Sequence, residues 1–190
     1  MAGFKEKLLL HSCCGPCSTA VIERLADDFD ITVFYYNPNI TDEAEYLHRK
    51  SEEQRFIKEY SEKTGHVIAF IEGDWLPDDY YKAVTGLEHE KEGGLRCREC
   101  FRLRLEKTAQ LAKEKGYDCF DTTLSVSPYK NYDVISELAE EISRKTGVRY
   151  LSGNYKKKDG YKRSIELSKE YGLYRQHYCG CEFSKRNETE

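Results

Sequence analysis

Apolar residues come in short runs separated by longer stretches where they recur at helical spacing. Lys7-Leu-Leu-Leu-His11 is the first run; it ends at Cys14-Gly15-Pro16, and residues 18–25 then place Ala20, Val21, Ile22 and Leu25 as on a helix. Residues 30–36, rich in β-branched and aromatic side chains, stop at Asn37-Pro38-Asn39 and predict a second, buried strand. A long helix is expected next, with N-cap chemistry at Thr41-Asp42, an apolar stripe of Tyr46, Leu47, Phe56, Ile57 and Tyr60, and a stop at Thr64-Gly65. Residues 66–71 predict a third strand and 77–84 a short helix. The charged segment 88–94, which carries Gly93-Gly94, predicts a loop that is mobile or shaped for a ligand. Phe101, Leu105, Ala109 and Ala112 then predict a helix ending at Lys115-Gly116. A fourth strand over 118–124, a helix over 131–146, a short strand over 148–151 and a last helix over 161–171 complete the pattern.

Strands alternating with helices of this length imply crossover connections and a mostly parallel sheet covered on both faces, an α/β fold. Such sheets take ligands beyond the carboxyl ends of their strands. The turn holding Cys13 to Cys17, the Asn37-Pro38-Asn39 turn, Gly73-Asp74-Trp75 and the segment 125–130 all fall on that one rim. With 190 residues and neither repeat nor linker, one domain over residues 1–190 is expected.

Composition narrows the setting. The chain is 39% hydrophobic and 34% charged, and its longest apolar runs fall far below the roughly 18 residues of a membrane span. The apolar stretch after Lys7 is too short for a secretory leader, so a cytoplasmic chain is expected. A reducing cytosol makes clustered thiols metal ligands or catalysts in preference to structural disulfides. Of eight cysteines, seven sit in three groups: Cys13, Cys14 and Cys17; Cys97 and Cys100; Cys179 and Cys181. Cys119, inside the fourth strand, reads as a core thiol.

Two of the groups begin helices, where free N–H groups and the helix dipole favour thiolate anions. Their spacing matches neither a ferredoxin run nor a radical-SAM loop. A four-cysteine zinc site pinning residues 88–100 to the sheet and an iron–sulfur cluster both fit, with Cys17 a surplus thiol. Cys179-Gly180-Cys181 reads as a reversible dithiol, because Gly180 permits the sharp turn a bond would need, or as two unrelated thiols. His11 at the end of the first strand either meets a ligand or is a satisfied polar residue. His177 is the other histidine placed to act. Net charge is -4, yet residues 144–163 hold eight Lys or Arg against the single acid Asp159, interleaved with Tyr150, Tyr155 and Tyr161. Cations for phosphates and rings for bases suit an unpaired RNA loop; a solvated face is the other reading. Arg96, Arg98, Arg102 and Arg104 around the CxxC point to an anionic ligand.

The motifs His11-Ser-Cys-Cys-Gly-Pro-Cys17, Tyr35-Tyr-Asn-Pro-Asn39, Arg96-Cys-Arg-Glu-Cys-Phe-Arg-Leu-Arg104, Thr122-Thr-Leu-Ser-Val-Ser-Pro-Tyr-Lys-Asn131 and Gln176-His-Tyr-Cys-Gly-Cys-Glu-Phe-Ser184 resemble the epoxyqueuosine reductase QueH family of tRNA-modifying enzymes. The resemblance implies a HUP-like α/β fold related to the PP-loop enzymes, with thiols where those enzymes bind phosphates. It implies two-electron removal of the epoxide oxygen of epoxyqueuosine at the wobble position of tRNA with a GUN anticodon, fed by an external electron donor. It further implies a [4Fe-4S] cluster on Cys13, Cys14, Cys97 and Cys100 and a redox-active disulfide between Cys179 and Cys181. His11, Asp74 or a tyrosine is the expected proton donor, and Cys17 is expected to hold an additional mononuclear iron. Arg96, Arg98, Tyr129, Lys130, Lys156, Lys158 and Arg163 are the residues expected to contact the RNA. A zinc-stabilised tRNA-binding module and a thiol-disulfide oxidoreductase are the competing classes, and a monomer is the expected state.

Overall fold

Five strands make one sheet: β1 (Glu6–Ser12), β2 (Phe29–Tyr35), β3 (Ala69–Glu72), β4 (Cys119–Thr122) and β5 (Arg149–Tyr150). Their order is β3-β2-β1-β4-β5 and every pairing is parallel. The computed structural model describes residues 4–185, so the single domain expected over residues 1–190 reaches beyond the described residues at both ends. Parallel neighbours require crossovers, and the helices supply them: α1 (Gly15–Leu25), α2 (Glu43–Thr64), α3 (Pro77–Ala83), α4 (Leu95–Lys115), α5 (Tyr132–Thr146) and α6 (Gly160–Glu170). Among the described residues, no helix is long and apolar enough to cross a membrane.

Side chains alternate across each strand, and the core follows that alternation. Leu8 and Leu10 pack with Val21, Ile22, Phe56 and Ile57 on the α1 and α2 face. Leu9 points the other way, into Phe101, Leu105, Leu138 and Ile142 of α4 and α5. The expected core thiol Cys119 is fully buried, and burial pushes it up to about 12. Local chemistry fixes the ends of α2 as the sequence predicts: Asp42 Oδ1 accepts from Glu45 N at 2.9 Å, and Gly65 closes the helix at φ 79°.

Three boundaries differ from expectation by two residues or more, each for a local reason, and others shift by one residue. α1 begins at Gly15 instead of residue 18, because Pro16 suits a first helical turn where its missing N–H costs nothing. β4 ends at Thr122, where Oγ1 accepts from Leu124 N at 3.2 Å and bends residues Thr123–Val126 into a 3-10 turn. β3 spans Ala69–Glu72, set by its register against β2, which pairs Thr32 with Ala69 and Tyr35 with Glu72. β1 lies between β2 and β4, so the chain reverses its direction of travel across the sheet there. The crevice at such a switch point is where α/β sheets hold ligands.

Candidate active site: a cavity lined by cysteines

The turn after β1 delivers the first thiols. Cys14 occupies the extended N-cap of α1, and the sulfurs of Cys13, Cys14 and Cys17 all lie within 4.8 Å of one another. Thiols this close compete for protons. Cys14 and Cys17 hydrogen-bond to the Cys13 sulfur and pull it well below its ordinary value; the same contacts push Cys14 well up and Cys17 to about 12. A bound cation would favour the thiolate forms, as for metal ligands that release protons on binding.

Cys97 lies in the first turn of α4 and Cys100 one turn below it. The segment 88–94 folds over this helix start, with Gly93 N donating to Cys97 Sγ at 3.2 Å. Burial pushes Cys97 up and takes Cys100 to about 12. The third group arrives from the far end of the chain. Arg49, buried on α2, donates to the carbonyls of Tyr178 and Cys179 at 3.2 Å each, while its Nε holds Glu45 at 2.7 Å. Gly180 turns at φ 119°, and a Cβ there would stand 2.8 Å from Ile40 Cγ1, so both conformation and space require glycine. Cys179 and Cys181 are free thiols.

Six cysteines, Cys13, Cys17, Cys97, Cys100, Cys179 and Cys181, line one cavity of about 200 Å³. Cys14 lies directly behind, its sulfur accepting from Gln176 Nε2 at 2.8 Å. Tyr129, Lys130, Tyr161, Arg175 and His177 join the lining. Burial disfavours the charge on Lys130, but the sulfurs of Cys179, Cys13 and Cys17 outweigh that cost and hold its ammonium above its ordinary value.

The other sequence-predicted residues divide by position. His11 is fully buried and lies off the cavity. Its Nε2 donates to the Tyr36 carbonyl at 3.1 Å, which leaves Nδ1 to accept from Thr122 Oγ1 at 2.9 Å; burial, aided by Arg104, pushes it down to about 3. It is a neutral, satisfied histidine. Asp74 is exposed and also off the cavity lining. Arg96 lines the cavity, but its Nη1 donates to the carbonyls of Glu88 and Glu90 and so shapes the 88–94 loop. Arg98 turns away to Glu137 at 2.8 Å, and Arg163 is held by Glu23 and Glu166. Lys156 Nζ donates to the Lys130 carbonyl at 2.7 Å, whereas Lys158 is exposed, as is Lys157. Tyr129 is 72% exposed at the cavity.

Two of the three tyrosines expected to meet bases are interior. Tyr150 is buried in the α4 and α5 face, and Tyr155 donates to Asp121 Oδ2 at 2.6 Å beneath the lysine-bearing turn. Apolar packing and a buried carboxylate claim their rings first. Arg49 and Gln176 received no role from the sequence: Gln176 sits beside the CxC, yet nothing in its spacing points at Cys14, and Arg49 reads as one more surface cation on a polar helix. Arg104 had a signal, since it follows Cys100 by four positions on α4 and so shares its face.

The donor set fits a thiolate-bound metal group: the sulfurs of Cys13, Cys14 and Cys17 lie together and further thiols line the same cavity, more than the four that either a zinc ion or a [4Fe-4S] cluster takes. A group bound by four thiolates carries net negative charge, and the protein supplies cations for it in Lys130 and the buried Arg104.

The model describing "Epoxyqueuosine reductase QueH" matches residues 8–187. The chain is 43% identical over 182 residues to an epoxyqueuosine reductase QueH from Streptococcus pyogenes serotype M1, covering 96% of this chain and 71% of that one. It is 35% identical over 180 residues to the QueH of Thermotoga maritima, covering 93% and 89%. Among solved structures, the U34-tRNA thiolase NcsA from Methanococcus maripaludis, with its [4Fe-4S] cluster, superposes with a TM-score of 0.50 at 13% identity, over 96% of this chain and 63% of that one. That likeness is one of fold and bears out the HUP-like α/β architecture. A parallel sheet with thiols at its switch point, matched nearly end to end by these relatives, places the chain in the epoxyqueuosine reductase QueH family.

Proposed function

We propose that this chain reduces the epoxide of epoxyqueuosine in the anticodon of tRNA to the alkene of queuosine, in the cysteine-lined cavity. The reading rests on one observation above all: three remote segments bring seven thiols to the switch point of the sheet, with Lys130 and the buried Arg104 among the cations near them. Two electrons and two protons enter, both C–O bonds of the epoxide break, and water leaves. Cys13, Cys14, Cys97 and Cys100 would hold a [4Fe-4S] cluster, which supplies single electrons when bound. Cys17 is left over as a ligand for a further iron, and Cys179 with Cys181 as a dithiol able to give two electrons on closing to a disulfide.

The remaining work falls to the chain's own groups. An epoxide oxygen leaves as an alkoxide unless it is protonated. Neither His11 nor Asp74 lines the cavity, whereas Lys130 does and keeps its proton at Nζ. Lys130, with the lining hydroxyls of Tyr129 and Tyr161 beside it, therefore meets the leaving oxygen. Tyr129 offers an exposed ring on which a base extruded from the anticodon loop stacks. Lys157 and Lys158, exposed on the turn that Tyr155 and Asp121 anchor, meet the RNA backbone.

The test is anaerobic reconstitution with iron and sulfide, followed by incubation with epoxyqueuosine-bearing tRNA and dithionite, and mass analysis of the digested nucleosides. Loss of one oxygen atom from the modified base is expected. Iron-loaded protein that binds the tRNA and leaves the epoxide intact would overturn the reading.

A further inference from the structure

Four arginines crowd the start of α4, and the structure gives them different tasks. Arg96 donates to loop carbonyls, Arg98 pairs with Glu137 at 2.8 Å, and Arg102 pairs with Glu141 at 3.4 Å. Arg104 is the exception. It is fully buried, its Nε donates to the carbonyl of Cys100 at 3.1 Å, and its guanidinium lies 5.6 Å from the centroid of the Phe101 ring. Both Nη1 and Nη2 lack a partner, and no carboxylate pairs with Arg104 among the described residues. The ionisable groups that bear on it most strongly are the thiols of Cys100, Cys179, Cys13 and Cys97.

A buried guanidinium with two free N–H faces is strongly disfavoured unless an anion completes it. Arginine does not escape by losing its proton. Its position four residues after Cys100 and seven after Cys97 places all three on one face of α4. We propose that Arg104 is the permanent counter-charge of the cysteine centre and a positioning residue that raises its reduction potential. The inference rests on the cluster reading given above. A [4Fe-4S] group in its 2+ state with four thiolates carries two negative charges; adding one electron from an external one-electron donor makes three. A fixed positive charge in a site shielded from water favours the more negative state. Lys130 is less shielded, being only partly buried.

The experiment compares wild type with Arg104→Met and Arg104→Lys after anaerobic reconstitution, by potentiometric titration monitored by EPR. Arg104→Met is expected to make the centre harder to reduce by at least about tenfold in the reduction equilibrium, about 59 mV for a one-electron couple. Arg104→Lys, which keeps the charge, is expected to recover most of that shift. Equal potentials in all three proteins would overturn the inference, and so would a fall in Arg104→Lys as large as that in Arg104→Met. Arg104→Gln supplies the neutral side chain if methionine is not accommodated. A second measurement needs no electrons. Metal-free Arg104→Met is expected to melt at or above metal-free wild type, because a buried unpaired charge has gone, and iron is expected to stabilise it less than it stabilises wild type. A neutral variant that melts lower without metal, yet gains as much from iron as wild type, would mark Arg104 as structural and overturn the inference. Failure of wild type itself to take up a cluster is a different result, and it would remove the cluster reading instead.

Discussion

Cys13, Cys14 and Cys17 hang from a single turn and the helix that follows it, whereas Cys97, Cys100, Cys179 and Cys181 come from two segments that meet only in the folded chain. The first wall has its three sulfurs within 4.8 Å, fixed by an extended residue 14 and a helix opening at Gly15-Pro16. The second is held by side chains: Arg49 grips the carbonyls of Tyr178 and Cys179, Arg96 grips those of Glu88 and Glu90, and Gln176 ties the C-terminal segment to Cys14. One wall is a property of local backbone; the other depends on clasps that single substitutions remove. That difference decides which changes abolish the site and which loosen it.

Changing the preformed wall has the largest expected effect. Cys13→Ser removes the most acidic thiol of the trio, and iron retention and epoxide reduction are expected to fall by more than the roughly 10- to 100-fold typical of losing an outer-shell partner. Iron and sulfide counts with a turnover assay check this; retention of the wild-type iron content would mean the first wall is not the anchor. Arg49→Met strikes the second wall. It deletes three charge-assisted hydrogen bonds, and a stability loss of about 2–3 kcal/mol in urea denaturation is expected, together with faster alkylation of Cys179 and Cys181. Unchanged alkylation would show that the CxC turn holds itself. Gln176→Ala keeps every thiol and loses only the clasp on Cys14, so about a tenfold drop in iron affinity is expected, measured by competition with a chelator. The mildest change lies outside both walls. Lys157→Glu with Lys158→Glu should leave iron content intact while lowering the salt dependence of tRNA binding by about one unit of slope per lysine. An unaltered slope would move the RNA surface elsewhere.

Much of this was readable from residues alone, and the parts that were not share a cause. Every predicted strand is present, and the central β1 and β2, buried along most of their length, write near-continuous apolar runs. The rim was legible too, since parallel strands all end at one edge. Lys130 and the cysteine groups followed from motif and topology together. Less legible was the use of each cation. A lysine or arginine in a basic stretch looks free until its partner is known, and Arg163 with Glu23, or Lys156 with the Lys130 carbonyl, are pairings made across the fold. Tyr155 illustrates the same limit: a tyrosine among lysines suggests stacking, yet its hydroxyl serves a carboxylate buried on β4. Arg49 carried no signal, because a helix with few apolar positions does not announce which cation turns inward.

The pairing of β1 with β4, Leu8 against Cys119, and the reach of Gln176 to Cys14 across 162 positions bear on the order in which the molecule assembles. While the chain is being synthesised, the Cys13 trio and the Cys97–Cys100 turn of α4 exist as separate local units, and long-range contacts that form slowly bring them together. A cofactor meeting the nascent chain would find its ligands on separate segments and an incomplete grip. The Gln176 clasp on Cys14 closes once the C-terminal segment has docked, so firm retention of iron is a late event, joined to the final step of folding and absent from its beginning.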